Sequence, residues 1–139
     1  MKIYLISPPK LTKSFNSKIF DTITDIIPIE YFQFRPKFKL LKDRLNFVEM
    51  HYESFSRVCK KKKIKLIIND DFEIAEEFTF DGIHLGQNDK SCKAAKEKFG
   101  KEFIVGVSCS SSENLYKKAK SDGADYVAFG PAFNSKTKK

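Results

Sequence analysis

Six short apolar runs punctuate the chain, and helical spacing fills the intervals between them. The runs are IYLIS (3–7), IEYFQF (29–34), LII (66–68), GIHL (82–85), FIVGVS (103–108) and DYVAF (125–129). The spacing predicts helices over 14–26 and 72–78, and another from about Ser91 to a C-terminal cap at Gly100. The clearest is a long helix in which Leu41, Leu45, Val48, Tyr52, Phe55 and Cys59 recur three or four residues apart, one continuous apolar stripe. A last helix opens at a capping box formed by Ser110 and Glu113 and ends at Gly123. The strands are continuously apolar rather than alternating, which implies burial on both faces, as in a parallel sheet covered by helices.

One strand departs from that rule. YFQFRPKFK (31–39) mixes aromatic residues with a glutamine and three cations before its last position or at it. Strand side chains alternate, so Gln33, Arg35 and Lys37 share one side while Phe32, Phe34 and Pro36 share the other. Pro36 cannot donate to a sheet ladder, so pairing should end there and leave the cations at the C-terminal mouth of the strand.

A βα repeat of this kind without a dinucleotide fingerprint fits a doubly wound sheet or a (β/α)8 barrel. Polar residues follow every later strand: Asn69 and Asp70, then GQND (86–89), then Ser108, then GPAFNSKTKK (130–139). A barrel gathers all such ends around one mouth, whereas an open sheet uses mainly a switch point. The expectation is therefore an α/β fold, a TIM (β/α)8-type barrel with about six βα units present. Residues 1–139 are read as a single incomplete barrel domain, truncated after the sixth strand. Because such barrels take at least about 200 residues, edge strands one and six are expected to be unpaired, and activity alone to be low.

Composition narrows the function classes. The net charge is +8, yet only three of 26 basic residues are arginine, and no nucleic-acid-binding signature is present. The lysines are dispersed; the one run, Lys60–Lys63, falls where a helix should end and suits its macrodipole. No nucleic-acid partner is expected. No apolar run approaches the roughly 18 residues of a membrane helix, so no membrane partner is expected either. MKIYLISPPK is too short for a secretory signal and reads as a first strand. Three widely spaced cysteines, Cys59, Cys92 and Cys109, suggest reduced thiols and a cytoplasmic protein.

The predicted mouth holds cations (Arg35, Lys37, Lys138), carboxylates (Asp70, Asp89), and amides and hydroxyls (Gln33, Asn69, Ser108, Thr137). Cations facing carboxylates suit a magnesium–diphosphate complex, in which the metal takes one or two carboxylates plus phosphate oxygens. The same set without phosphate would be a structural ion-pair network. Asp71 is assigned to capping the following helix. His84 is read as a hydrogen-bonded packing group, His51 as a surface residue, and Cys109 is given no role.

LIINDDFEIAEEFTFDGIHLGQND, FIVGVSCSSSENLYKKAKSDGADYVAFGP, FNSKTKK and QFRPK follow one another in an order and at spacings that resemble the thiamine phosphate synthase family. The resemblance runs almost the whole chain and is strongest from Leu66 to Lys139. It implies a transferase of thiamine biosynthesis that joins two small molecules, aminomethylpyrimidine diphosphate and hydroxyethylthiazole phosphate, with Mg²⁺ as cofactor. By position, Asp70 and Asp89 resemble the metal ligands. Arg35, Lys37, Ser108 and Lys138 resemble diphosphate contacts, with Arg35, Lys37 and Lys138 stabilising the departing charge. Gln33 and Asn69 would orient the pyrimidine, and Ser135, Lys136 and Thr137 fall where the family grips the thiazole phosphate. Asn134 replaces the family's usual proline and Ser135 its usual threonine.

Two rivals remain: a thiazole tautomerase-like enzyme of the same superfamily, and an inactive, truncated or vestigial binding protein. The set Gln33, Arg35, Lys37, Asp70 and Asp89 argues against the first, and chain length favours the second. A homo-oligomer is compatible with the sequence.

Overall fold

The structure, a computed structural model, describes residues 2–131. Strands β1 (Ile3–Ile6), β2 (Ile29–Phe34), β3 (Lys65–Asn69), β4 (Gly82–Leu85), β5 (Ile104–Ser110) and β6 (Tyr126–Phe129) form one sheet in sequence order. Every pairing is parallel. Helices α1 (Ser17–Ile26), α2 (Leu41–Lys62), α3 (Phe72–Glu77), α4 (Cys92–Phe99) and α5 (Glu113–Ser121) fill the crossovers. The fold is the expected α/β type, six parallel strands of a TIM-type barrel arranged as a half-barrel.

The alternation along each strand divides the molecule into two regions. Phe32, Phe34, Leu66, Ile68, Ile83, Leu85, Val105 and Val107 face the helices and join the main core. There Phe20 of α1 and Phe55 of α2 pack on Phe32 with ring centroids 4.2 and 5.3 Å away. This is the apolar stripe of the long helix meeting the aromatic face of β2, and burying each such ring contributes on the order of 1.5–3 kcal/mol. The opposite parity, including Tyr4, Gln33, Asn69, His84 and Ser108, lines the concave side of the sheet.

The sheet curls strongly enough that its two edge strands touch across this concavity. Tyr4 of β1 and Tyr126 of β6 share a 2.6 Å hydrogen bond between their hydroxyls. Gly106 makes room for that ring: a Cβ there would lie 2.0 Å from Tyr126 Cζ. The edges are nevertheless not paired to each other, and Ile6 and Phe129 on them are 51% and 62% exposed.

Several local details differ from the sequence-based expectations. The first helix starts at Ser17 because Asn16 caps it, accepting from the backbone N–H of Lys18 and Ile19. Ser110 is not a helix cap: β5 continues to Ser110 with an irregular register, and Ser110 adopts φ 50°. Ser112 takes the capping position of α5 and accepts from the Leu115 N–H. The lysine run, by contrast, closes the long helix as expected: Lys60–Lys62 occupy its last turn and Lys63 turns left-handed. His51 is half-buried, with its ring edge-on to Phe47 at 4.8 Å.

Candidate functional site

The C-terminal strand ends surround a cavity of about 940 Å³. Its lining includes Gln33, Arg35 and Lys37 from β2 and its loop, Asn69 and Asp70 from β3, His84 and Asp89 from β4 and its loop, and Ser108 from β5. Every predicted site residue within the described region therefore borders one space. Ser135, Lys136, Thr137 and Lys138 lie outside the described residues, as do the departures at Asn134 and Ser135.

The alternation of β2 explains the cationic wall. Phe32, Phe34 and Pro36 are fully buried against the helices, which obliges Gln33, Arg35 and Lys37 to turn to the cavity side. The Arg35 backbone N–H donates to Ser7 Oγ at 2.9 Å, fixing the strand end beside the tip of β1. Lys37 Nζ donates to Asp70 Oδ2 at 2.6 Å. Asp70 itself adopts φ 61°, a left-handed conformation that aspartate tolerates better than most residues.

Asp89 reaches the same corner from the next loop, and its Oδ2 accepts from the Gly86 N–H at 2.6 Å. Partial burial holds its carboxyl above the usual carboxylate range; the neighbouring charge of Asp70 adds to the rise, while the Gly86 N–H and Lys37 oppose it. Two carboxyls thus stand close enough to interact, with a cation against one of them. Among the described residues no group of three or more His, Cys, Asp or Glu side chains could hold a metal ion alone. A pair of oxygen donors with a cavity beside it does fit magnesium, which retains waters and binds through one or two carboxylates plus substrate phosphate.

The cavity floor is a hydrogen-bonded chain. Gln33 Nε2 donates to Tyr4 Oη at 3.1 Å, Tyr4 Oη meets Tyr126 Oη, and Tyr126 Oη lies 3.1 Å from His84 Nδ1. His84 Nε2 then lies 2.9 Å from Ser108 Oγ. His84 is buried and bonded through both ring nitrogens, the packing role expected of it, although its ring also borders the cavity. Burial pushes the Tyr4 and Tyr126 phenols up, so neither ionises near neutrality.

Sequence reasoning missed Tyr4, Tyr126, Ser7 and Gln87. Gln87 Nε2 donates to the Ser108 backbone carbonyl. Inward parity could have pointed to the tyrosines, since Tyr4 shares its face with Ile6 and Tyr126 with Ala128. The expectation for Asp71 needs correction: it stands at the N-cap position of α3, but its side chain makes no capping hydrogen bond. Its carboxylate is instead gripped by Arg44, and a buried acceptor already satisfied by a guanidinium has no reason to turn to the helix. The cysteines are free and buried, and burial raises their thiols, that of Cys59 to about 12.

A parallel βα half-barrel whose strand ends converge on a polar cavity defines the class: a TIM-type scaffold with a candidate site at the C-terminal mouth. The profile of the thiamine monophosphate synthase family matches residues 3–139, and the chain belongs to that family. It is similar to the thiamine-phosphate synthase of Pelagibacter ubique, at 39% identity over 98% of this chain and 63% of that protein. The enzyme of the same name from Erythrobacter litoralis is 42% identical over 62% of this chain and 40% of its own length. Among solved structures, thiamine phosphate pyrophosphorylase from Pyrococcus furiosus superposes with a TM-score of 0.75, covering 95% of this chain and 61% of that one at 21% identity. That last likeness is one of fold. The chain spans 63% and 40% of the length of the two sequence relatives. No helix among the described residues is long and apolar enough to cross a membrane.

Proposed function

We propose that the protein acts in the thiamine phosphate synthase reaction, binding aminomethylpyrimidine diphosphate at the mouth of the half-barrel. In that reaction the diphosphate departs, and the ring nitrogen of hydroxyethylthiazole phosphate captures the pyrimidine-methyl cation, giving thiamine phosphate and pyrophosphate. The observation that carries the reading is the Lys37–Asp70 pair at 2.6 Å, set beside Arg35 and Asp89 on one cavity. A diphosphate with its metal requires cations and carboxylates together, a need that a thiazole tautomerase-like reaction lacks.

In this reading Arg35 and Lys37 hold the diphosphate oxygens, and Lys37 would exchange its bond to Asp70 for one to the ligand, leaving the Asp70 carboxylate available to hold the metal. Magnesium, held by Asp70 and Asp89, would supply charge stabilisation to the leaving pyrophosphate. Gln33 and Asn69 orient the pyrimidine from below, and Ser108, tied to His84, contacts the diphosphate. Lys138 joins the cations, and Ser135, Lys136 and Thr137 grip the thiazole phosphate. An ionisation of this kind requires no protein nucleophile: it requires preorganised charge where charge develops, and two substrates held close.

A second reading follows from the open sheet. The six described strands leave Ile6 and Phe129 exposed at unpaired edges, which favours a pyrimidine-diphosphate half-site whose full turnover needs further barrel strands, on this chain or another. Mixing both substrates with Mg²⁺ and following thiamine phosphate and pyrophosphate by mass spectrometry tests the first reading. Titrating Mg²⁺ and inorganic pyrophosphate tests the second. Product formation supports the synthase; binding without product supports the half-site; neither product nor binding sinks both.

A further inference from the structure

Two aspartates follow one another after β3, yet only Asp70 borders the large cavity. The reason lies in Arg44, in the first turns of α2. Its Nε lies 2.8 Å from both carboxylate oxygens of Asp71, and its Nη2 lies 2.8 Å from Oδ1. Its Nη1 donates to the backbone carbonyls of Phe38 at 2.8 Å and Lys39 at 3.1 Å. One guanidinium therefore ties the loop after β2, which carries Lys37, to the loop after β3, which carries Asp70. The pair is recessed, with Asp71 only 7% exposed.

We propose that Arg44 is a positioning residue that clamps these two loops together and decides which of the adjacent aspartates faces the cavity. Bonded on both oxygens, Asp71 is withdrawn from the mouth and cannot compete with Asp70 for Lys37. The backbone reinforces the choice. The Asp71 N–H donates to Asn69 O at 2.7 Å and the Asp70 N–H to His84 O at 2.9 Å, across a residue held at φ 61°. A left-handed aspartate costs free energy and persists where its surroundings over-determine it.

Two physical points separate this role from simple stabilisation. A buried ion pair is a poor device for stability alone, because desolvation offsets much of its attraction, and apolar residues of similar volume often serve as well. The acceptors also lie in a fork: a carboxylate on one loop and two carbonyls on another. Only arginine's planar array of donors reaches both at once, and lysine's single ammonium does not. Arg44 borders a smaller cavity of about 430 Å³ that shares Lys37, Asp70 and Asp89 with the large one, so it stands behind the binding groups and not among them.

The inference rests on the proposed diphosphate site for its consequence, but its structural claim can be read without any ligand. Arg44→Met, Arg44→Lys and Asp71→Asn would be made in the full chain. Exchange of the hydrogen-bonded amides of Lys37, Asp70 and Asp71 should accelerate together by about tenfold in Arg44→Met and Asp71→Asn, with α5 unchanged. Calorimetric titration of inorganic pyrophosphate with Mg²⁺, well below the unfolding midpoint, should show affinity reduced by about tenfold in Arg44→Met and less in Arg44→Lys. Wild-type exchange in both loops would overturn the clamp. So would unchanged pyrophosphate affinity in Arg44→Met accompanied only by a lower melting temperature. If the wild-type chain binds no pyrophosphate, the diphosphate reading fails, and the exchange rates still decide the clamp. Should Arg44→Met not fold, Arg44→Lys and Asp71→Asn carry the same comparison.

Discussion

Replacing Gly106 by alanine tests whether the floor of the site is held by contact across the concave side of the sheet. A Cβ at 106 would lie 2.0, 2.3 and 2.4 Å from Cζ, Oη and Cε2 of Tyr126. Ordinary carbon contacts begin near about 3.5 Å, so the ring would have to retreat by roughly 1.5 Å. It is not free to do so, because its hydroxyl is bonded to Tyr4 at 2.6 Å and to His84 at 3.1 Å. Overpacking costs about 1–3 kcal/mol, and leaving buried polar partners unsatisfied costs about 1–3 kcal/mol more. Tyr4 keeps its Gln33 contact, which places the expected total in the lower half of the combined range, at about 3 kcal/mol. For a domain of this size that is on the order of 10 °C in melting temperature. Urea denaturation followed by circular dichroism reads it directly. In a Tyr126→Ala background the same Gly106→Ala change should cost far less, a coupling of more than about 1 kcal/mol. A single Gly106→Ala variant within about 0.5 kcal/mol of wild type would refute the reasoning, and so would additive effects of the two changes.

Removing the charge of Asp70 or Asp89 should lower turnover by roughly 10²–10³-fold if the proposed metal role holds. Asn is the informative replacement at Asp70, because Ala at φ 61° adds about 1–2 kcal/mol of backbone strain that Asn largely avoids. Near-normal activity of both Asp70→Asn and Asp89→Ala at limiting Mg²⁺ would dismiss that role. Arg35→Lys should weaken pyrimidine-diphosphate binding while leaving thiazole-phosphate affinity in place, since lysine offers a point charge instead of a fork; equal loss for both would assign Arg35 to structure. Ser112→Ala should destabilise by about 1 kcal/mol, as loss of a helix cap does, whereas Ser110→Ala should not produce a capping loss, measurable by chemical denaturation.

The chain's periodicities determined the element order, the parallel sheet and the common placement of the strand ends. Those features depend on local rules: period-two alternation sends Gln33, Arg35 and Lys37 to one side once Phe32 and Phe34 are committed to the other. Helix ends were less legible. Ser110 and Ser112 offer the same hydroxyl two residues apart, and the extra length of β5 chose Ser112. Tertiary structure alone decided the contacts between residues distant in sequence. Local order places Asp71 at the start of the next helix, but the contact that withdraws its carboxylate and leaves Asp70 to Lys37 comes from Arg44, 27 residues earlier. Likewise Tyr4 and Tyr126 read as ordinary strand aromatics until the curl of the sheet brings them together across 122 residues. A propensity or a spacing acts over a few residues. Which polar group satisfies a buried partner depends on how helices and strands pack, and that is set by the whole chain at once.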